Sequence, residues 1–201
     1  MDKEFEEVKI SFSIQSIPKG DGDAVLKAKK NVGKDAFGVL FHDDLFFSKT
    51  PAIAQLVKIF QTAQKPIIGL KKLDSTKISK YGCVEVEKVA NRLYKIKKII
   101  EKPKLGEAPS DLAVCGRYVL TNEIFEYFDK TKLNKKGELI LAEVFKEMLN
   151  DGKVIYGYEI EGDWLECGQT IDWIKSNLFL TLKHKEYGPV VREWLKKMKF
   201  S

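Results

Sequence analysis

The chain is poor in cysteine and arginine, and it has no long apolar run; each shortage excludes a class of protein. Its three cysteines, Cys83, Cys115 and Cys167, are an odd number without paired spacing, so neither a disulfide framework nor a zinc site accounts for the sequence. They read as small core-filling thiols in a reducing compartment. Among the 35 basic residues only Arg92, Arg117 and Arg192 are arginine. The net charge of +6 is therefore lysine, spread along the chain, and lysine lacks the forked donor that reads base edges and grips phosphates. Helix-turn-helix, zinc-finger and ribonucleoprotein patterns are also missing. The charge reads as a solvated surface, and no nucleic-acid partner is expected. No apolar run approaches the roughly 20 residues that span a bilayer. The start, MDKEFEEVKI, alternates charge with hydrophobe instead of following a basic stretch with an apolar one. A cytoplasmic protein without a membrane partner is expected.

What is present is enough for one sizeable core: 201 residues, 44% of them apolar. Val8, Ile10, Phe12 and Ile14 alternate with Lys9, Ser11, Ser13 and Gln15, the period of a half-buried strand. A glycine turn at Lys19-Gly20-Asp21-Gly22 leads to a short helix over Ala24 to Lys30. Phe37 to Phe41 and Ile67 to Leu70 are compact apolar strands, with a helix between them that begins near Pro51 and shares Ile53, Leu56, Val57 and Phe60 on one face. Strands alternating with helices predict a largely parallel sheet covered on both faces. Gly82 to Val86 and Asn91 to Ile96 then read as an antiparallel insertion. Helices are predicted at Asn122 to Phe128 and Leu139 to Leu149, a strand at Val154 to Ile160, and amphipathic segments at Ile171 to Leu182 and Val190 to Phe200, separated by Gly188-Pro189.

His42-Asp43-Asp44 follows the strand at Val39, where an open α/β sheet presents ligands. A carboxylate there can hold Mg²⁺ against phosphate oxygens; read locally, an aspartate pair also caps a turn. Glu101-Lys102-Pro103 read alone is a solvated strand end. Gly20-Asp21-Gly22 read alone is a strand-to-helix turn, Glu138 an acid in the first turn of a helix, and Glu166 a half-buried acid at a helix entry.

The run IIEKPKLGEAPSDLAVCGRYVL, Ile99 to Leu120, alters those readings. Its Glu101-Lys102-Pro103, Ala108-Pro109-Ser110 and Gly116-Arg117-Tyr118-Val119-Leu120 closely resemble the bacterial UTP:glucose-1-phosphate uridylyltransferases, which are sugar-1-phosphate nucleotidyltransferases. The resemblance runs from Lys9 to Lys197 and corresponds to the later part of that family's sequence. It implies an incomplete Rossmann-like nucleotidyltransferase fold: residues 1–201 as a single domain, the C-terminal two-thirds of the family's domain, with a helical tail over 171–201. It implies an enzyme forming UDP-glucose and pyrophosphate from UTP and glucose 1-phosphate when the site is complete. By the same resemblance Glu101 receives sugar hydroxyls, Lys102 reaches the sugar phosphate, Gly82 of the Tyr81-Gly82 step lies beside the sugar, and Gly20 lies along the uracil. Asp43 binds Mg²⁺ with Asp44 as a neighbour that has no direct role. Glu166 stands in for the family's second metal-binding aspartate, and Glu138 of Gly137-Glu138 meets a sugar hydroxyl or Lys102.

Three departures accompany the match. His42 stands where the family has glycine or proline, Asp23 where it has histidine, and Glu166 adds a methylene to the expected aspartate. The family's Gly-x-Gly-Thr-Arg triphosphate loop occurs nowhere in the 201 residues. Its absence predicts that the strand at Val39 lacks a neighbour and exposes an edge suited to a homo-oligomer, or to a separate chain supplying the N-terminal part. The competing expectation is a catalytically silent nucleotide-sugar-binding or regulatory module, or a truncated remnant.

Overall fold

A computed structural model describes residues 8–104 and 106–198. The charged start through Glu7 and the terminal Phe200 of the last amphipathic segment lie outside the described residues. In chain order the elements are α1 (Asp21–Lys27), α2 (Lys29–Val32), β1 (Phe37–Leu40), β2 (Asp44–Phe47), α3 (Ala52–Ala63), β3 (Ile67–Lys72), α4 (Ser75–Ile78), β4 (Cys83–Ala90), β5 (Leu93–Ile100) and β6 (Leu112–Leu120). A 3₁₀ turn at Asn122–Glu126 follows, then α5 (Leu141–Asn150), β7 (Tyr156–Glu159), β8 (Asp163–Glu166), α6 (Thr170–Lys183) and α7 (Tyr187–Lys197). Two compact units emerge, one of residues 1–37 with 121–153 and one of residues 38–120 with 154–201.

The first unit is helical. Leu141, Val144, Phe145 and Met148 recur at helical spacing on α5 and are all buried. The 3₁₀ turn contributes buried Ile124 and Phe125, and Phe125 stacks on Phe37 at 5.4 Å between ring centres. The run from Val8 to Gln15 is irregular, not a strand, and its apolar side chains are exposed, Phe12 to 89%. Its alternation is inverted. The polar face is anchored, since Ser11 Oγ accepts from Asn31 and Gln15 Nε2 donates to the Gly20 carbonyl and to Asp23. Period-2 spacing suits a strand, but only a paired neighbour satisfies the backbone of one.

The second unit is built on a six-stranded sheet ordered β1-β6-β3-β7-β5-β4, beside a two-stranded ladder of β2 and β8. The α/β class and the C-terminal helices agree with the sequence reading, whereas the balance of strand directions differs from it. β3 and β7 run parallel; β3 with β6, β4 with β5, β4 with β6, β5 with β7, and β2 with β8 run antiparallel. Apolar runs report burial, not direction, and the β4–β5 hairpin inserted between β3 and β6 reverses the return. β3 is the central strand, with Ile67, Ile68, Gly69 and Leu70 buried. Gly69 sits at a register shift, where a Cβ would come within 2.7 Å of Ile160 and 2.9 Å of the Arg117 carbonyl. α3 begins after Pro51 and lays Leu56 on Ile67, Cys115 and Val119. Among the described residues β1 is an edge strand, with Leu40 exposed. Gly188 and Pro189 do not break the tail; they form the first turn of α7, where proline's missing N–H costs nothing.

Candidate functional site

In the second unit the ladder of β2 and β8 brings distant acids together. Asp44 pairs in register with Glu166, and one step beyond, the Asp43 carbonyl accepts the Cys167 N–H at 2.7 Å. The Asp43 carboxylate lies over Gly168, where a Cβ would stand 3.1 Å from Oδ2. Asp43 thus stands opposite Cys167, one step past the Asp44–Glu166 pair, although Asp43 and Glu166 are 123 positions apart in sequence.

Arg117 sets the turn that carries Asp43. It is buried on β6, and its guanidinium donates to the Phe41 and Gly116 carbonyls at 2.8 Å and to the Asp44 carbonyl. Its plane also lies over the Phe46 ring, 5.7 Å from the centroid. Asp44 is more than the neighbour of Asp43. Its Oδ1 accepts the Trp164 indole N–H at 2.6 Å while the carboxylate fills the space above Gly116. Burial pushes the Asp44 carboxyl above its ordinary value, and the Trp164 hydrogen bond opposes this.

Tyr81 joins this acidic end to the Glu101-Lys102 segment. Its hydroxyl donates to Glu166, and its carbonyl accepts the Lys102 N–H at 3.2 Å. Burial first, then the Glu166 carboxylate, push the phenol well above the usual tyrosine range, so it stays a donor. Next in the chain, Gly82 faces Glu101 so closely that a Cβ would stand only 3.1 Å from Oε2. Lys102 adopts φ +45°, a backbone that L side chains rarely take, and its ammonium lies 3.8 Å from Glu101. A cleft of about 290 Å³ opens beside Tyr81, lined also by Trp164, Glu166, Asp172, Lys175 and Phe179.

In the first unit Gly20 takes φ +97°, and any Cβ there would run into the Leu139 carbonyl. The glycine requirement therefore already has a local cause: Leu139 N–H donates to the Lys19 carbonyl at 2.7 Å, and Gly22 N–H to the Leu139 carbonyl at 3.0 Å. Asp21 Oδ1 accepts the N–H of Gly22 and, from 120 positions away, that of Leu141 at the start of α5. Glu138 closes the Asn134–Glu138 turn, accepting from Asn134 Nδ2 at 2.8 Å.

The structure thus gathers Asp43, Glu166, Gly82, Glu101 and Lys102 in the second unit, while Gly20 and Glu138 belong to the first. Sequence reasoning did not find the parts played by Arg117, Asp44 and Trp164. A rare arginine inside the otherwise apolar LAVCGRYVL was the available signal for the first of them. Among the described residues no three His, Cys, Asp or Glu side chains form a metal-ligand set. Mg²⁺ commonly takes one or two protein carboxylates and completes its shell with water and substrate phosphate, so Asp43 and Glu166 have the donor chemistry that such an ion takes.

The nucleotidyl transferase family matches residues 1–183. Of two Staphylococcus saprophyticus proteins named UTP–glucose-1-phosphate uridylyltransferase, one is 35% identical over 182 residues, covering 90% of this chain and 63% of that protein. The other is 34% identical over 203 residues, covering 98% and 70%. A UDP-glucose pyrophosphorylase solved in complex with UDP-glucose superposes with a TM-score of 0.80 at 31% identity, over 85% of this chain and 65% of that one. The chain spans about two thirds of the length of these proteins.

Proposed function

The chain belongs to the nucleotidyl transferase family, and from that premise we propose that it forms the sugar-nucleotide part of a UTP:glucose-1-phosphate uridylyltransferase site. In the complete site a phosphate oxygen of glucose 1-phosphate attacks the α-phosphorus of UTP; the new P–O bond gives UDP-glucose as the bond to the β-phosphate breaks and pyrophosphate leaves. Residues 1–201 act in this reading as one nucleotidyltransferase domain working in the cytoplasm, completed by a triphosphate loop of the Gly-x-Gly-Thr-Arg type.

The observation that carries the proposal is the Glu166–Tyr81–Gly82–Glu101 connection, which links the acidic ladder ends to the Glu101-Lys102 pair. Glu101 orients glucose by accepting its hydroxyls, and Gly82 leaves room for the ring. Lys102, whose ammonium lies beside Glu101, neutralises the sugar phosphate. Asp43 and Glu166 hold Mg²⁺, which when bound offsets phosphate charge during the transfer.

Titration calorimetry with UDP-glucose and Mg²⁺ tests the assignment. Lys102→Ala removes a charged contact of about 1.5–3 kcal/mol, so the dissociation constant should rise by about tenfold or more. Equal affinity in the variant would reject the role of Lys102.

A second reading, a catalytically silent nucleotide-sugar-binding module, draws on Glu166, whose carboxylate is already occupied by the Tyr81 hydroxyl. It expects UDP-glucose to bind equally well with and without Mg²⁺, whereas the enzyme reading expects Mg²⁺ to tighten binding.

A further inference from the structure

Glu166 is anchored at its backbone and long at its side chain. Its carbonyl accepts the Ser176 hydroxyl of α6 at 2.9 Å, and its position pairs with Asp44 across the ladder. Beyond that backbone a glutamate turns about three single bonds, so holding its carboxylate in one place costs rotamer entropy. The Tyr81 hydroxyl, which donates to Oε2, offsets that loss. Tyr81 is itself fixed at both backbone and ring. Its N–H donates to the Ile78 carbonyl at the end of α4 at 3.1 Å, and its carbonyl accepts the Lys102 N–H at 3.2 Å. Its ring lies 5.0 Å from that of Trp164, tilted by 56°, and Trp164 is in turn pinned through its indole N–H to Asp44. A flexible acid therefore rests against a rigid donor.

We propose that Tyr81 is a positioning residue, which holds the Glu166 carboxylate ready for a divalent cation. The inference rests on the uridylyltransferase reading of the site, in which Glu166 stands in for a shorter aspartate. An ionised carboxylate offers two oxygens and about four lone-pair directions. The phenol takes one of these at Oε2, and Oε1 is left to a cation. Carboxylates that bind metals are commonly steadied by a hydrogen bond from an outer partner, and loss of that partner typically weakens metal binding by about 10–100-fold. The extra methylene fits the same role. A side chain one carbon shorter on the same strand would draw its carboxylate back from the phenol, so the tyrosine contact belongs to glutamate. The bond that marks Glu166 as occupied in a silent module thus orders it in the metal-binding one.

Binding of Mn²⁺, which takes the oxygen donors that suit Mg²⁺, tests the role without any need for turnover. Electron paramagnetic resonance measures free Mn²⁺ during titration of the full chain with UDP-glucose present, and UDP-glucose alone supplies the blank. Tyr81→Phe keeps the ring and removes only the hydroxyl, so Mn²⁺ affinity should fall by about tenfold or more, with circular dichroism unchanged. In a Glu166→Asp background the hydroxyl has no carboxylate in reach. There Tyr81→Phe should change the affinity by less than about twofold. Equal affinity in wild type and Tyr81→Phe would overturn the proposal, and tighter binding in the variant would show that the phenol blocks the acid. A loss of the same size in both backgrounds would also overturn it, since the hydroxyl would then act on something other than Glu166. A wild type that takes up no Mn²⁺ beyond the blank would overturn the metal-site reading itself, and this role with it.

Discussion

Asp21 shows how a single side chain can serve two elements at an electrostatic cost. Its Oδ1 receives the N–H groups of Gly22 and Leu141, and the second of these caps α5, whose own N-cap is the apolar Ile140. Burial, reinforced by Glu138, raises the carboxyl above its ordinary value of 3.8, and the backbone hydrogen bonds only partly oppose this. Between that value and the raised one, the folded chain binds more protons than the unfolded chain, so this group lowers stability as pH rises through the window. Asn retains an acceptor oxygen without the charge. Melting temperatures from about pH 3.5 to about pH 7 should show Asp21→Asn gaining on the wild type as pH increases; parallel curves would mean that the buried charge carries no penalty. Nothing in the local sequence DGDAVLK announced a partner at Leu141, because the contact joins residues 120 positions apart. Glu101 and Lys102 were legible as neighbours, yet the left-handed backbone at Lys102 was not.

At the scale of elements, the pair β2 and β8 matters most for the candidate site and was the least visible. Each strand is four residues long, too short for a period to register, and their pairing spans more than a hundred residues. Longer elements were easier to read: α3, α5 and the β4–β5 hairpin follow from apolar spacing and a short turn. Arg117 ties β6 to the turn at the start of β2 through two carbonyls, those of Phe41 and Asp44. Arg117→Met keeps much of the volume but strands those two acceptors, at about 1–3 kcal/mol each, so it should destabilise the chain by about 2–6 kcal/mol. Denaturant unfolding measures this directly; a loss below about 1 kcal/mol would mean that the turn holds without its clamp.

For the whole molecule, the decisive measurement is thermal unfolding with and without UDP-glucose and Mg²⁺. Ligand at about a hundredfold its dissociation constant adds about 2.7 kcal/mol, which for a chain of this size raises the midpoint by about 5–10 °C. A cooperative transition that stays in place would favour a scaffold without a formed sugar-nucleotide site. Local pattern was sufficient for the α/β class, the lysine-borne charge, the buried faces of α3 and α5, and the Glu101-Lys102-Pro103 run that pointed to the family. These are matters of spacing and side-chain chemistry, which act within a few residues. Three-dimensional closure alone settled that β6 returns antiparallel to β3, that Val8 to Gln15 stays irregular with its apolar face outward, and that Asp44 stands beside Glu166 with Tyr81 bonded to the latter. Strand direction, pairing and the meeting of distant acids depend on which surfaces close over one another, and a period along the chain carries no record of that.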